Sequence, residues 1–288
     1  MNYSLLIQNR KSTREFTSRK VSKDDIEEIT SYYKSDDCER LLPEIRTDLL
    51  IFEEDAQEDL EGAAGYNDFL IGAPNYLVLL SEKAPYAGIN AGYIMEDLIL
   101  KLQEMELGSC WITFADSNEV KEALDIDSPL DVAAIAAFGH GQKAVRSLHV
   151  NVKSMYDVDI SAKHQYFNPK KKFSELVFKD TWGNSEGVDE FVESYGDMLG
   201  EAFYAACLSP SYLNRQPYGF IIHEKSIYLI KTDDPYTTKN DSALDLGIVL
   251  LHFTSVAAGW MGSLKWQLGD DKVLTVPENY QVIGKCEL

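Results

Sequence analysis

The sequence predicts an α+β fold in which helices flank mainly antiparallel sheets. Apolar, strand-like runs occupy 75–82 and 131–139, and an amphipathic helix is predicted between them. Two short strands around a turn are predicted at 219–230, and a second amphipathic helix follows them. The second part of the chain therefore repeats the first in outline, which predicts two halves of similar design.

The first elements are predicted from capping, charge and apolar spacing. A helix is expected to begin at Val21–Ile29, because Ser22 can cap it and acidic residues follow at the positive end of the helix dipole. Residues 53–61 hold six acids, which predicts a solvated loop or helix face. The central helix of the first half is predicted from apolar residues at spacings of 4, 3, 4 and 3, namely Ala91, Met95, Leu98, Leu102 and Met105.

A repeated spacing links the two predicted central helices. Gly92 opens the first helix and Trp111 follows 19 residues later, while Gly247 opens the second and Trp266 also follows 19 residues later. We favour a degenerate duplication, with a chance match of two amphipathic helices as the alternative. Two such halves can pack about a pseudo-twofold axis as a homodimer does. The buried side of the second central helix is predicted to carry Leu246, Val249, Phe253 and Val256.

The boundary between the halves is placed in the polar, Lys-rich stretch 141–172, which is interpreted as an irregular connection. We expect residues 1–160 to form the first half and residues 161–288 to form the second. The two halves are expected to interlock as one structural unit.

Composition and charge restrict the function classes. With 288 residues, 45% hydrophobic and 26% charged, the chain is expected to be a water-soluble globular protein with a large core. Lys and Arg number 27 against 47 Asp and Glu, and the resulting net charge of −20 repels nucleic acids and acidic membrane surfaces. We therefore expect a small-molecule partner and neither a nucleic-acid nor a membrane partner.

The expected location is the cytoplasm. The longest apolar stretch, Leu244–Gly262, is interrupted by polar residues and is not expected to span a membrane. The N-terminal residues lack the pattern of a signal peptide. Four well-separated cysteines indicate neither a zinc site nor a disulfide framework, which fits a reducing compartment.

Familiar catalytic and metal-binding motifs are not found in the sequence. The histidines show no metal-ligand spacing, and neither a nucleophile elbow nor a Walker phosphate loop occurs. One alternative is the segment GHGQKA at 139–144, which matches a dinucleotide-binding fingerprint and has Asp157 and Asp159 near the distance expected for a ribose contact. No metal ligand and no acid–base residue is predicted.

Positive charge collects near the N-terminus of this acidic chain. Arg10, Ser12 and Arg14 alternate there, so an extended segment would direct all three side chains the same way. Two guanidiniums and a hydroxyl that converge form a phosphate cradle, in which each charge-assisted hydrogen bond contributes about 1.5–3 kcal/mol. The alternative is a solvated basic helix end that pairs with the acidic loop. A second basic cluster at 170–172 could neutralise further negative charge.

A stiff polar loop is predicted at 208–220. Pro210 and Pro217 restrict its backbone, while Ser211, Asn214 and Gln216 present hydrogen-bond donors and acceptors. Such a loop suits the edge of a flat heteroaromatic ring. The alternative is an ordinary turn between a helix and a strand.

These motifs together resemble the flavin-dependent nitroreductase family, and in particular its tandem, single-chain members. RKSTREF is similar to the family's Arg-Arg-Ser-x-Arg opening, with Lys11 in the place of the commoner Arg. The resemblance implies that the phosphate and ribityl end of FMN contacts Arg10, Lys11, Ser12 and Arg14. SPSYLNRQPY is similar to the family's Pro-Ser-x-x-Asn-x-Gln-Pro-Trp loop. It implies that the residues beside the isoalloxazine are Pro210, Ser211 and Asn214, with Gln216 in support.

Two further segments carry the resemblance. ELGSCWITF resembles the family's Leu-Gly-x-x-x-Trp-Ile segment, which implies backbone contacts from Ile112 and Thr113 near flavin N5 and O4. KKKFSELVF is similar to the basic segment that follows in the family, which makes Lys170 and Lys172 candidate phosphate partners.

The two halves carry complementary parts of the family's site. In two-chain members, the arginine motif of one subunit and the Pro-Ser-x-x-Asn loop of the other share each flavin. Here the first half has the arginines but no such loop at 38–52, and the second half has the loop without the arginines. The resemblance therefore implies one FMN site in a pseudo-dimer, for which a monomer suffices.

The resemblance implies an FMN-dependent oxidoreductase that takes electrons from NADH or NADPH. The flavin would pass them to a small acceptor such as a nitroaromatic or a quinone, so no catalytic side chain is assigned. The alternative is a non-catalytic flavin-binding or interaction protein on the same fold, in which aromatic residues such as Trp266 or Tyr218 fill the open face of the ring.

Overall fold

The chain divides into two compact units. The first comprises residues 9–167 with Met1, and the second comprises residues 2–8 together with 168–288. The computed structural model describes the backbone of the chain apart from residues 54, 68, 143–146, 155–156, 164–168, 263 and 271–272, and it describes no side chain between 143 and 168.

Helices and strands are distributed along both units. The described helices are α1 (Tyr3–Asn9), α2 (Lys23–Lys34), α3 (Ala56–Leu60), α4 (Ala87–Glu104), α5 (Ser117–Ala123), α6 (Phe173–Leu176), α7 (Val188–Ser194), α8 (Asp197–Leu208) and α9 (Lys239–Met261). The described strands are β1 (Thr47–Glu53), β2 (Asn75–Ser81), β3 (Gly108–Ile112), β4 (Asp131–Gly139), β5 (Ser147–Ser154), β6 (Asp157–Lys163), β7 (Val177–Lys179), β8 (Tyr218–His223), β9 (Ser226–Lys231), β10 (Gln267–Leu268) and β11 (Gln281–Glu287).

The first unit is built on an antiparallel sheet with the order β1-β2-β4-β3. The predicted strands at 75–82 and 131–139 are confirmed as its central strands β2 and β4. Every residue of β2 is buried, because one face packs on α4 and the other on a core that includes Leu60, Val120 and Ile135. A strand covered on both faces is apolar throughout, which explains why its sequence is a continuous run rather than an alternation.

The second unit contains a sheet with the same order in its antiparallel part. Its strands follow the order β10-β11-β9-β8-β7, and β7 is a parallel edge strand without a counterpart among the described strands of the first unit's sheet. The predicted hairpin at 219–230 is confirmed as β8 and β9, with Glu224 at φ 52° in the turn. In the order of their sheets, the antiparallel strands β8-β9-β11-β10 correspond to β1-β2-β4-β3, and in each set the first two strands precede the long helix and the other two follow it.

The two long helices begin earlier than predicted. Gly92 and Gly247 lie inside α4 and α9 rather than at their starts. The apolar pattern missed the first turns because these carry buried polar residues, such as Asn90 and Asp241, whose burial depends on tertiary contacts. The predicted apolar face of α9 is buried along its length. By length and composition alone α9 could cross a membrane, but 78% of its most apolar window is buried inside the protein.

The interpretation of 141–172 as an irregular connection is wrong in its middle. Strands β5 and β6 pair there in antiparallel register, from Ser147 opposite Lys163 to Ser154 opposite Asp157. The period-two signal of this hairpin is present in the sequence, where Leu148, Val150 and Val152 alternate with polar residues. The high content of polar and basic residues obscured it.

Candidate functional site

An extended stretch near the N-terminus, residues 10–17, runs beside β3 and is called the arginine segment here. Ser12 bridges to Ser109, and the Thr13 N–H donates to the Ser109 carbonyl at 2.7 Å. Further along, the Thr17 N–H donates to the His140 carbonyl at 2.8 Å. The segment thus pairs with backbone at both ends, which gives it the extended conformation that the alternation of its arginines requires.

Two glycines make room for this segment. A Cβ atom on Gly108 would lie 2.5 Å from Thr13 Oγ1, and one on Gly141 would lie 2.9 Å from Thr13 Cγ2. Real Cβ atoms do not approach other atoms so closely, so any side chain at Gly108 would push Thr13 away. Gly108 of ELGSCWITF and Gly141 of GHGQKA therefore leave the space that the backbone of the arginine segment needs.

The alternating side chains of the arginine segment share one buried neighbour, the thiol of Cys110. Burial raises the pKa of Cys110, while the charges of Arg14 and Arg10 and a hydrogen bond with Ser12 lower it. All three groups therefore lie within electrostatic or hydrogen-bonding reach of the same thiol. The structure therefore brings together the three residues predicted to form the phosphate cradle.

The two arginines of this cluster differ in burial and in partners. The Arg10 side chain is 9% exposed, and its Nε lies 3.6 Å from Oε1 of Glu96. Arg14 is exposed, and among the described residues it has no hydrogen bond or ion pair. Lys11, between them, is exposed as well. The cluster thus offers an exposed guanidinium next to a buried and oriented one.

Ile112 and Thr113 lie at the end of β3, in the same unit as the arginine segment. Ile112 is buried and pairs with Ile135 of β4, and the Thr113 carbonyl accepts from the Gly65 N–H at 2.7 Å. The backbone around Ile112 and Thr113 is therefore rigidly held by neighbouring strands and loops.

The predicted polar loop leads into β8, and residues 209–217 are called the polar loop below. Tyr212–Asn214 form a short 3-10 helix, and three residues without the freedom of glycine adopt left-handed backbone. These are Leu213, Asn214 and Gln216, with φ values of 47°, 58° and 47°. Each such conformation costs about 1–3 kcal/mol and persists only where surrounding contacts enforce it.

Gln216 is the central anchor of the polar loop. Its side chain is buried, its Oε1 accepts from the Lys171 N–H at 2.8 Å, and its Nε2 donates to the Cys207 carbonyl at 2.9 Å. Its own N–H donates to Ser211 Oγ at 2.8 Å. Gln216 therefore connects the loop to both flanking segments through its side chain, which fits the supporting role predicted for it.

The basic segment 170–172 also holds the polar loop. Lys171 Nζ donates to the Gln216 carbonyl at 2.6 Å, and burial lowers the pKa of Lys171. Lys170 Nζ donates to the Ser209 carbonyl at 2.8 Å, and Asn214 Nδ2 donates to the Pro169 carbonyl at 2.8 Å. Lys172 is exposed. Lys170 and Asn214, both predicted to contact flavin, are thus engaged in fixing the loop, and Pro210 is buried beneath it.

A buried carboxylate of α9 supports the loop from below and was not predicted. Asp245 Oδ1 accepts from the Tyr212 N–H at 2.9 Å, and burial raises the pKa of Asp245 well above its usual range. In the first unit, Asn90 of α4 accepts from the Leu42 N–H at 2.8 Å in the same way. Asn90 and Asp245 lie two residues before Gly92 and Gly247, respectively. The interruption of an apolar stretch by Asp245 was the signal that could have revealed it.

The dinucleotide-binding alternative lacks its structural context. The fingerprint needs a parallel strand followed by a helix, whereas β4 pairs antiparallel with both β2 and β3. The next described element after it is strand β5. Residues 143 and 144 of the proposed fingerprint lie outside the described residues.

Antiparallel sheets flanked by helices, in the arrangement found here, define a nitroreductase-like α+β protein. The chain belongs to the family described as "Putative TM nitroreductase", whose model matches residues 3–257. This agrees with the family resemblance noted in the sequence.

A solved structure agrees with this assignment at the level of fold, and two further structures resemble about half of the chain. A protein from Thermotoga maritima described as a "putative nitroreductase" has 17% identity and a TM-score of 0.58, with coverage of 100% of this chain and 94% of that chain. A nitroreductase family protein from Clostridium novyi has 20% identity and a TM-score of 0.43, covering 50% and 87%. A nitroreductase from Desulfovibrio desulfuricans, described as a complex with FMN, has 18% identity and a TM-score of 0.41, covering 50% and 88%. A search of curated proteins gave no match.

Proposed function

We propose that this protein is an FMN-dependent oxidoreductase that transfers electrons from NADH or NADPH to a small acceptor such as a nitroaromatic or a quinone. The observation that carries the proposal is that Arg10, Ser12 and Arg14 of one extended segment all interact with the buried thiol of Cys110. Membership of a nitroreductase family supports the same class of reaction.

The residues of the arginine segment fit a phosphate group. Arg14 presents an exposed guanidinium without a partner among the described residues, in a chain whose net charge is −20. The guanidinium of Arg14 is therefore available to an anion. Arg10 and Arg14 would hold the FMN phosphate through charge-assisted hydrogen bonds, and Ser12 and Lys11 would assist.

The strained polar loop supports a second contact with the cofactor. Left-handed residues without glycine cluster at functional sites, and here buried side chains keep three of them in place within four residues. We propose that Pro210, Ser211 and Asn214 bind the isoalloxazine, and that the backbone of Ile112 and Thr113 contributes near N5 and O4. Lys170 and Lys172 are retained as further candidates for the phosphate. When bound, FMN supplies the hydride-accepting ring, and the protein supplies binding and orientation.

The strand order shared by the two sheets supports the proposed duplication, in which one chain forms one flavin site and a monomer suffices. The boundary of the two halves, with 1–160 and 161–288 as nitroreductase-like parts, belongs to the same proposal, as does a cytoplasmic location. The buried positions of Tyr218 and Trp266 favour a catalytic protein over a purely flavin-binding one. Tyr218 is fully buried in β8, and Trp266 Nε1 donates to Thr254 Oγ1 at 2.8 Å, so both rings belong to the core of their unit.

A titration with FMN followed by anaerobic reduction tests the proposal. The wild-type protein should bind one FMN, turn yellow, and be bleached by NADH or NADPH and reoxidised by a nitroaromatic or a quinone. Replacement of Arg10 and Arg14 together by Ala should weaken FMN binding by about a hundredfold or more, because two charge-assisted contacts are lost.

The matched control removes two cations from exposed positions of the same unit, Arg46 and Lys83. This control should leave FMN binding within about threefold of the wild type, since exposed charges at a distance are screened by salt. Equal losses in both double variants would show a general effect of charge and contradict the phosphate cradle. Flavin that no nicotinamide reduces would favour the non-catalytic alternative.

A further inference from the structure

One acidic side chain of the first unit faces the arginine segment from the protein interior. Glu96 of α4 is fully buried, and its two carboxylate oxygens have different partners. Oε2 accepts from the Trp111 indole N–H at 2.8 Å, and Oε1 lies 3.6 Å from Nε of Arg10. The strand that carries Trp111 is paired along its length with β4, so the indole is a fixed donor.

We infer that Glu96 is a positioning residue that orients the Arg10 guanidinium for the phosphate of FMN. This inference rests on the FMN site proposed above. A buried carboxylate requires a cation, and a guanidinium that faces it through Nε keeps its outer nitrogens available for a second acid. Glu96 thus defines the direction of Arg10, which is 9% exposed, whereas the exposed Arg14 has no such support.

The neighbouring Asp97 is a second buried carboxylate on α4 and has hydrogen-bond partners of its own. Asp97 is equally buried, but it accepts from the Tyr32 hydroxyl at 2.7 Å and from the Glu39 N–H at 3.0 Å. Tyr32 belongs to α2, and Glu39 belongs to the residues that follow it. Asp97 therefore supplies a matched control, one residue away on the same helix.

The test compares the binding of FMN and riboflavin, which differ only in the phosphate. Glu96→Gln keeps an acceptor for Trp111 but turns an amide toward Arg10, so FMN affinity should fall by about tenfold while riboflavin affinity stays the same. Asp97→Asn should change the ratio of the two affinities by less than about twofold. An unchanged ratio in Glu96→Gln would overturn the inference. A rise in FMN affinity relative to riboflavin affinity in Glu96→Gln would also overturn the inference, because the charge of Glu96 would then oppose the phosphate.

A double-mutant cycle separates a positioning role from a structural one. In the Arg10→Ala background, Glu96→Gln should have no further effect on FMN affinity, because Glu96 acts through Arg10. An undiminished loss in that background would contradict the inference. If Glu96→Gln does not fold, Trp111→Phe provides the second variant, since it removes the fixed donor and should also reduce FMN binding selectively. A wild-type protein that binds neither flavin would overturn the proposed function and this inference together. FMN binding that is insensitive to Glu96 would overturn the inference alone.

Discussion

The arginine segment and the polar loop are held in place in opposite ways. Backbone hydrogen bonds to Ser109 and His140 hold the arginine segment, and its Thr13 packs in the space that two glycines leave. The polar loop is held by side chains, chiefly the buried Gln216 and the half-buried Lys171, around a strained backbone. The comparison teaches that the backbone path of the arginine segment depends on free space beside it. The backbone conformation of the polar loop depends instead on side-chain hydrogen bonds. The following predictions test that distinction.

The largest expected effect is the loss of an anchor in the polar loop. Gln216→Leu should lower the free energy of unfolding by about 2–5 kcal/mol, because it leaves the buried Lys171 N–H and Cys207 carbonyl without partners. Urea denaturation measures this change. The control Gln281→Leu, at an exposed position of β11, should stay within about 0.5 kcal/mol. A loss below about 1 kcal/mol for Gln216→Leu would show that the loop does not depend on its side chains.

A smaller effect is expected when the space beside the arginine segment is filled. Gly108→Ala should reduce stability by about 1–3 kcal/mol, because its Cβ would collide with Thr13 and displace the segment. Thermal and urea unfolding measure the change. Gly259→Ala is the control, because a Cβ on Gly259 of α9 meets nothing within 4 Å. Equal effects of the two substitutions would contradict the role assigned to Gly108.

The smallest effect on the free energy of unfolding is expected when Asp245, the buried carboxylate below the polar loop, is replaced. This effect should depend on pH. The folded-state pKa of Asp245 is raised, so folding takes up a proton between the unfolded pKa, about 3.9, and the folded one. Asp245→Asn removes this penalty and keeps the acceptor for Tyr212. It should therefore stabilise the protein by about 1–2 kcal/mol at neutral pH, with a gain that shrinks as the pH falls toward about 4.

The corresponding position of the first unit supplies the reverse experiment. Asn90→Asp places a carboxylate where Asn90 now accepts from the Leu42 N–H, and it should destabilise the protein increasingly as the pH rises. Urea unfolding between about pH 5 and 9 measures both variants. A gain for Asp245→Asn that is independent of pH would contradict the assignment to ionisation.

Local patterns in the sequence predicted much of the fold. The cap by Ser22 is confirmed, since its side chain accepts from the Asp25 N–H at the start of α2. The strands β2 and β4 and the hairpin of β8 and β9 follow from apolar runs and a turn, which depend on neighbouring residues only. The alternation of Arg10, Ser12 and Arg14 predicted that an extended segment directs the three side chains the same way. The segment is extended, and the common direction stays a prediction.

Features that depend on distant contacts could not be predicted in this way. Glu96 and Asp245 stand among apolar residues of helices, and only the folded chain shows that one faces Arg10 and the other the Tyr212 N–H. The left-handed backbone of Leu213 follows from its anchors rather than from its residue type. The β5–β6 hairpin was missed for a different reason, because its alternating pattern was present but was outweighed by polar composition.

The position of Thr13 between Gly108 and Gly141 has a consequence for how this protein can change over generations. A larger residue at either glycine position becomes acceptable only after Thr13 has been replaced by a smaller residue, so the order of substitutions matters. Related chains should consequently vary at these three sites in concert, although the sites are far apart along the polypeptide.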